Sequence, residues 1–232
     1  MKKIGLVGGI GPASTVDYYL GLIERYRAQF GDDRYPEIVI DSIDMHEMID
    51  AFGQNDYDKV AEILLNSVEN LKAAGATLAA ITSNTPHIVW DKVLDKFSLP
   101  CYSIVEAAVE AAKQNAFQRV LIFGTEFTMS SGLYDKAFDK AGIHPVVLSK
   151  EDQLAIGHII YPNLENGIII PADKEKMIAI AEKYIQTENA DALLLGCTEI
   201  PLMIKAGDVS VPIIDTTQIH IDKIYAEYIS MI

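Results

Sequence analysis

The feature that most constrains this chain is an alternation. Short apolar runs, bounded by glycine and small polar residues, are separated by longer segments whose apolar residues recur at three- and four-residue spacing. Runs of that kind read as buried parallel strands, and the segments between them as the helices that cross from one strand to the next. "KIGLVGG" is a first strand, "PASTVDYYLGLIERYRAQF" a helix and "EIVIDSID" a second strand. "NDYDKVAEILLNSVENLKAAG" is a helix with Asn55 or Asp56 as its N-cap and Gly75 as its stop. "TLAAIT", "PHIVWDKVLDKF" and "CYSI" continue as strand, helix and strand. Near residue 105 the cycle restarts. "RVLIFGT" answers "KIGLVGG", "MSSGLYDKAFDKAG" is a helix, "HPVVL", "DALLLG" and "VPIID" are strands, and "TTQIHIDKIYAEYISMI" is a last helix. The expected fold class is α/β with parallel sheets in two similar lobes. Residues 1–98 with 212–232 form the first and 99–211 the second, so that the C-terminal segment returns to the first lobe.

Half of the 232 residues are hydrophobic, enough for a sizeable core without staples. The formal charge of −14 repels nucleic acid and anionic membranes over most of the surface, so neither is expected as a partner. Two cysteines, no basic–apolar–small N-terminal pattern and no apolar run of about 18 residues predict a soluble cytoplasmic protein with no disulfide between Cys101 and Cys197.

Ligands of open α/β sheets bind outside the carboxyl ends of the strands. That rule gathers four turns rich in Gly, Ser, Thr and Asn: "GGIGPAST", "TSNTPH", "GTEFTMSS" and "GCTEI". The first matches neither nucleotide-binding glycine pattern. Its functional reading has Gly9, Ile10 and Gly11 presenting main-chain N–H groups to an anion beside Ser14 and Thr15; the alternative is a tight strand-to-helix turn with Pro12 in the first helical turn. The second turn carries Thr82, Ser83 and Asn84 at its tip. The fourth carries Cys197, a strand-end thiol whose thiolate a following helix N-terminus and N–H donors would stabilise. Cys101, inside an apolar strand, reads as packing. His46, just past the second strand, points toward the same strand ends; His87 reads equally as packed or functional; His144, His158 and His220 read as structural or surface residues. No spacing suits a metal.

"GLVGGIGPAST", "SNTPH" and "GCTEI", in that order and together, resemble the aspartate/glutamate racemase family, and the resemblance covers almost the whole chain. It implies flavodoxin-like lobes with the active site in the cleft between them, no pyridoxal phosphate or metal, an acidic amino acid as substrate, and often a homodimer. It also implies two cysteines on opposite faces of the substrate Cα, one abstracting the α-proton and the other returning one. Asn84, Thr85 and Thr198 match family positions that hold the α-carboxylate and amino group, and Thr125 and Thr128 match positions on the second lobe. The chain departs from the pattern where the first cysteine is expected, with Thr82 and Ser83 before Asn84. An aliphatic hydroxyl has no accessible anion near neutral pH. The expectation is therefore an asymmetric enzyme, with Cys197 deprotonating L-glutamate or L-aspartate and Thr82, or a water it positions, protonating the opposite face. The Arg and Lys with which some family members hold a distal carboxylate are also missing, which leaves His46, Gln54 and backbone N–H groups for that carboxylate, with Tyr161 lining the same region. Relatives of the fold that use one cysteine for decarboxylation or isomerisation of small diacids, and an inactive acidic-amino-acid-binding protein, are the competing readings.

Overall fold

Among the described residues, eight strands and eleven α-helices follow one another in two rounds of the same pattern. The computed structural model of the chain describes residues 2–31 and 33–232. The first round runs β1 (Lys3–Gly8), α1 (Pro12–Phe30), β2 (Glu37–Ser42), α2 (Met45–Gly53), α3 (Tyr57–Ala73), β3 (Leu78–Ile81), α4 (Trp90–Val93) and β4 (Cys101–Tyr102). The second runs α5 (Ile104–Gln114), β5 (Arg119–Gly124), α6 (Glu126–Ser130), α7 (Leu133–Lys140), β6 (His144–Val146), α8 (Lys150–Ile160), α9 (Pro171–Glu188), β7 (Ala192–Gly196), α10 (Ile200–Met203), β8 (Ile213–Asp215) and α11 (Thr216–Ser230).

Each round builds its own four-stranded parallel sheet, with orders β2-β1-β3-β4 and β6-β5-β7-β8. The registers pair Val7 with Ile81 in the first sheet and Gly124 with Gly196 in the second, so the two central strands of each end side by side. Strand period then divides the first core into two layers. Ile4 and Leu6 pack with Tyr18 and Leu22 of α1 and Ile221 and Ile224 of α11, whereas Val7, Ala79 and Ile81 pack with Leu64 and Val68 of α3. In the second half, Leu121, Phe123, Leu193 and Leu195 pack against Ile156 of α8 and Met177 and Ala181 of α9. At roughly 1.5–3 kcal/mol for each large apolar side chain removed from water, these layers are what hold the sheets covered. No helix among the described residues is long and apolar enough to cross a membrane.

The division of the chain differs from the expected one. Residues Met1–Ile104 with His220–Ile232 form one compact unit, and Val105–Ile219 form the other. The reason is pairing: β4 hydrogen-bonds to β3 and so belongs to the first unit, while β8 hydrogen-bonds to β7 and belongs to the second. His220–Ile232, which include the greater part of α11, group with the first unit.

Three local expectations are also revised. The "DMHEM" segment opens an unforeseen helix, α2, capped by the Asp44 carboxylate accepting from the His46 N–H. "PHIVWDKVLDKF" is two 3-10 turns, Thr85–Val89 and Leu94–Lys96, around α4. The His87 and Trp90 rings stack with centroids 5.0 Å apart, an i,i+3 contact that a three-residue turn favours. "MSSGLYDKAFDKAG" is split into α6 and α7 at Gly132, whose φ of 70° lies in the left-handed region. The α3 cap is Asp56, whose carboxylate accepts from the Lys59 N–H at 2.9 Å.

Candidate active site

The polar turns of the first unit are largely occupied in holding that unit together. Backbone groups that leave a parallel ladder must find other partners. Gly9, at φ 84°, turns the chain so tightly that a Cβ there would lie 2.3 Å from the Ile43 carbonyl oxygen. Its N–H donates to Thr15 Oγ1 at 2.9 Å, and Thr15 Oγ1 donates in turn to the Gly11 carbonyl at 3.1 Å. Ser14 Oγ donates to the Thr82 carbonyl at 2.6 Å. Thr82, fully buried, donates its hydroxyl to the Val7 carbonyl at 3.0 Å. The N–H of Gly9 and the hydroxyls of Ser14 and Thr15 are therefore not the open anion cradle that the sequence suggested; they strap the start of α1 to the ends of β1 and β3. Ile10 is buried, and Gly11, with no atom closer to its would-be Cβ than Met45 Sδ at 3.8 Å, is the open position of this loop.

The same geometry corrects the reading of Thr82. Its proton is engaged inside the fold, while the next residue, Ser83, is half-buried. Asn84 is buried and Thr85 half-buried at the start of the 3-10 turn. His87 is a packed residue: Nδ1 lies 3.0 Å from the Ser83 carbonyl and Nε2 3.4 Å from the Ile104 N–H, so a neutral ring with its proton on Nδ1 satisfies both. Burial holds it to about 4. His46 and Gln54 stand at opposite ends of α2, roughly 12 Å apart at 1.5 Å per residue, so only His46 stays near the carboxyl end of β2.

The second unit presents an open cavity of about 410 Å³. Its wall is formed by Thr125, Glu126 and Phe127 after β5, by Leu154, Gly157, His158, Ile160 and Tyr161 from α8 and the residue after it, by Glu165, and by Cys197 and Glu199 after β7. Thr125 caps α6, its Oγ1 accepting from the Thr128 N–H at 3.2 Å; Thr128 itself is buried behind that cap and supports it. Thr198 is half-buried beside Cys197, and Tyr161 is exposed at the rim.

Cys197 is nearly buried, 7% exposed, and its thiol donates to Glu199 Oε2 at 2.9 Å. The expected thiolate stabilisation is outweighed. The following helix, α10, is a single turn, too short for a strong dipole, and burial pushes the thiol well above its ordinary value. The Glu199 and Glu165 carboxylates push it further in the same direction, against the Glu199 N–H, which favours the anion. The resting group is a protonated thiol poised on a carboxylate. Cys101 is inert in comparison, pushed up to about 12 by burial alone. Both cysteines are free.

Sequence reasoning missed Glu126, His158, Glu165 and Glu199. Glu199 had a readable signal, since a tight turn after a strand folds the side chain two positions on back toward the first. His158 and Glu165 had none, because their place on the cavity wall depends on how the chain turns after α8. Among the described residues no group of three His, Cys, Asp or Glu side chains is arranged to hold a metal ion.

The fold and the cavity define an α/β protein of paired parallel sheets with a thiol at the end of a central strand. Comparison with known proteins gives the family. Residues 7–224 match the model of the Asp/Glu/hydantoin racemase family, and the chain belongs to it. An aspartate racemase homologue from Pyrococcus horikoshii is 37% identical, with a TM-score of 0.88 over 98% of this chain and 99% of that one. A broad specificity amino-acid racemase of Bacillus subtilis is 24% identical over 92% of both chains. Picrophilus torridus aspartate racemase, at 24% identity, shares the fold with a TM-score of 0.73 over 100% of this chain and 94% of that one.

Proposed function

We propose that the chain racemises an α-amino acid using its own side chains, with Cys197 removing the α-proton of the L isomer. The observation that carries this reading is the Cys197 thiol on the wall of a cavity and in contact with Glu199, in a chain matched to the racemase family over residues 7–224. The α-hydrogen of an amino acid is a very weak acid, so the base must be generated where it is used. The thiol proton passes to Glu199 Oε2, the sulfur takes the proton from Cα, and the substrate ammonium offsets the carboxylates that otherwise hold the thiol neutral. Thr125 on the cavity wall and Thr198, half-buried next to Cys197, offer hydroxyls to the substrate's polar groups in this unit.

For the opposite face, the resemblance implies a donor at the hydroxyl end of β3. Thr82 was the expected group; its hydroxyl donates to Val7, so Ser83, holding a water, is the better donor. Asn84 and Thr85 flank it. L-Glutamate and L-aspartate are the substrates that the resemblance implies, with His46, Gln54 or Tyr161 meeting the distal carboxylate; the separation of His46 from Gln54 leaves no pair to hold it.

The test is deuterium incorporation at Cα in D₂O, measured for both isomers of acidic, neutral and basic amino acids, with the native protein and with Cys197→Ser. Exchange of an L isomer that disappears in the variant is the expected result. Absence of exchange with every amino acid, accompanied by CO₂ release from a small malonate, would replace the racemase with a single-thiol decarboxylase.

A further inference from the structure

The cavity wall beside Cys197 carries Glu126, Glu165 and Glu199, and no lysine or arginine among the described residues lines it. A distal carboxylate entering this space would meet three like charges and no fixed cation. Like charges within a few ångströms repel by roughly 1 kcal/mol or more, depending on how much water remains. The wall already shows that repulsion, since burial and then Glu199 hold the Glu165 carboxyl above its ordinary value. No compensating charge comes from the protein as a whole, whose formal charge is −14.

Thr125, His158 and Tyr161 are the other polar side chains of the wall, and the remainder is apolar apart from Cys197. Phe127, Leu154 and Ile160 offer a surface for methylene groups, and the volume of about 410 Å³ falls in the range of ~300–1,000 Å³ usual for small-molecule sites. A methylene stem along Leu154 and Ile160 with a cation at Glu165 and Glu126 satisfies both kinds of surface. We propose that this cavity selects an α-amino acid with a cationic side chain, of the lysine, ornithine or arginine class. The proposal rests on the racemase reading and names its substrate class: the carboxylates are specificity-determining, and the distal cation takes the place of the distal carboxylate that the family name suggests.

The experiment compares L-lysine, its neutral isostere L-norleucine and L-glutamate in two measurements. One is Cα deuterium exchange with the native protein; the other is calorimetric binding to Cys197→Ala, which retains the carboxylates. The expected result is a preference of about tenfold or more (~1.4 kcal/mol) for L-lysine over both others. Glu165→Gln should reduce that preference, and Glu165→Lys should move it toward L-glutamate. Equal exchange of L-norleucine and L-lysine, or faster exchange of L-glutamate, overturns the proposal and leaves the racemase reading standing. Charge-selective binding of L-lysine without exchange of any amino acid keeps the cavity assignment and overturns the racemase reading. Neither exchange nor charge-selective binding overturns both.

Discussion

Two buried histidines should make this protein acid-sensitive well above the range in which carboxylates titrate. His87 and His220 are nearly or fully buried in the first unit, with ring centroids 6.3 Å apart. His220 Nδ1 lies 2.7 Å from the Tyr18 hydroxyl, which donates to it, and Nε2–H donates to the Tyr102 carbonyl at 2.8 Å. Each ring is fully satisfied as the neutral species. Burial holds His87 to about 4 and, with help from His87, holds His220 to about 3, against an ordinary value of 6.5. In the unfolded chain both protonate as the pH falls below 6.5; in the folded chain they do not, so the unfolded state binds more protons and stability falls with pH. The effect is absent above 6.5 and grows by ~1.4 kcal/mol per pH unit for each ring. At about pH 5 that is ~2 kcal/mol per histidine and ~4 for both, a large share of the ~5–15 kcal/mol of a typical fold. Asp58, Asp152 and Asp208, all held below their ordinary 3.8 by lysine partners, lose their contribution only below that value and do not interfere. Urea unfolding at about pH 7.5 and about pH 5 measures the difference. His220→Gln should lower stability at both values yet remove about half of the ~4 kcal/mol pH-dependent loss. An unchanged loss in that variant would refute the buried-neutral assignment.

Glu199→Gln removes the carboxylate that accepts from Cys197, so the thiol should titrate at lower pH, read as thiolate absorbance, while Cα exchange slows for want of a proton acceptor. Gly9→Ala should destabilise the fold by roughly 1–3 kcal/mol in chemical unfolding, because φ is 84° and the new Cβ meets the Ile43 carbonyl. Thr82→Cys replaces a hydroxyl that donates to the Val7 carbonyl with a thiol that competes poorly for it, and should introduce D-isomer exchange, measured in D₂O; no gain of exchange in that variant would refute the account of why the two strand ends differ. Phe123→Ala, at a fully buried position of the second core, should cost roughly 3–5 kcal/mol in thermal or urea unfolding and test the weight of that layer.

Much of the fold was legible because it rests on period and punctuation. The apolar runs, the answering strands β1 and β5, the stop at Gly75 and the return of the C-terminus all follow from local pattern. The domain boundaries were less so: β4 is two residues long and β8 three, too short to show which sheet they join, and only pairing with β3 and β7 decides it. At the site, strand ends could be located, but not whether a strand-end hydroxyl faces outward or inward. Thr82 and Ser83 are adjacent and chemically alike; what separates them is the alternation of direction along an extended chain, which delivers one to the Val7 carbonyl and leaves the other half-buried. The acidic wall was invisible because Glu126, Glu165 and Glu199 lie far apart in sequence and meet only through the loops after β5, α8 and β7.

The two sheets share one strand order, so Thr82 and Cys197 occupy corresponding places, each the first residue after the inner strand that flanks the leading one. Their fates differ for a chemical reason. A hydroxyl is a strong donor and finds a carbonyl, Val7, one strand away; it gains a bond and loses its freedom. A thiol is a weak donor and a poor competitor for a carbonyl, so Cys197 is not drawn into the ladder and reaches Glu199 on the cavity wall instead. The same backbone design therefore ties the first residue after β3 into the fold and leaves the first residue after β7 on the cavity wall. Under the proposed function, Cys197 gains its chemistry less from its position on the sheet than from the carboxylate set beside it, and the proposed substrate preference turns on the charge of that carboxylate's neighbours.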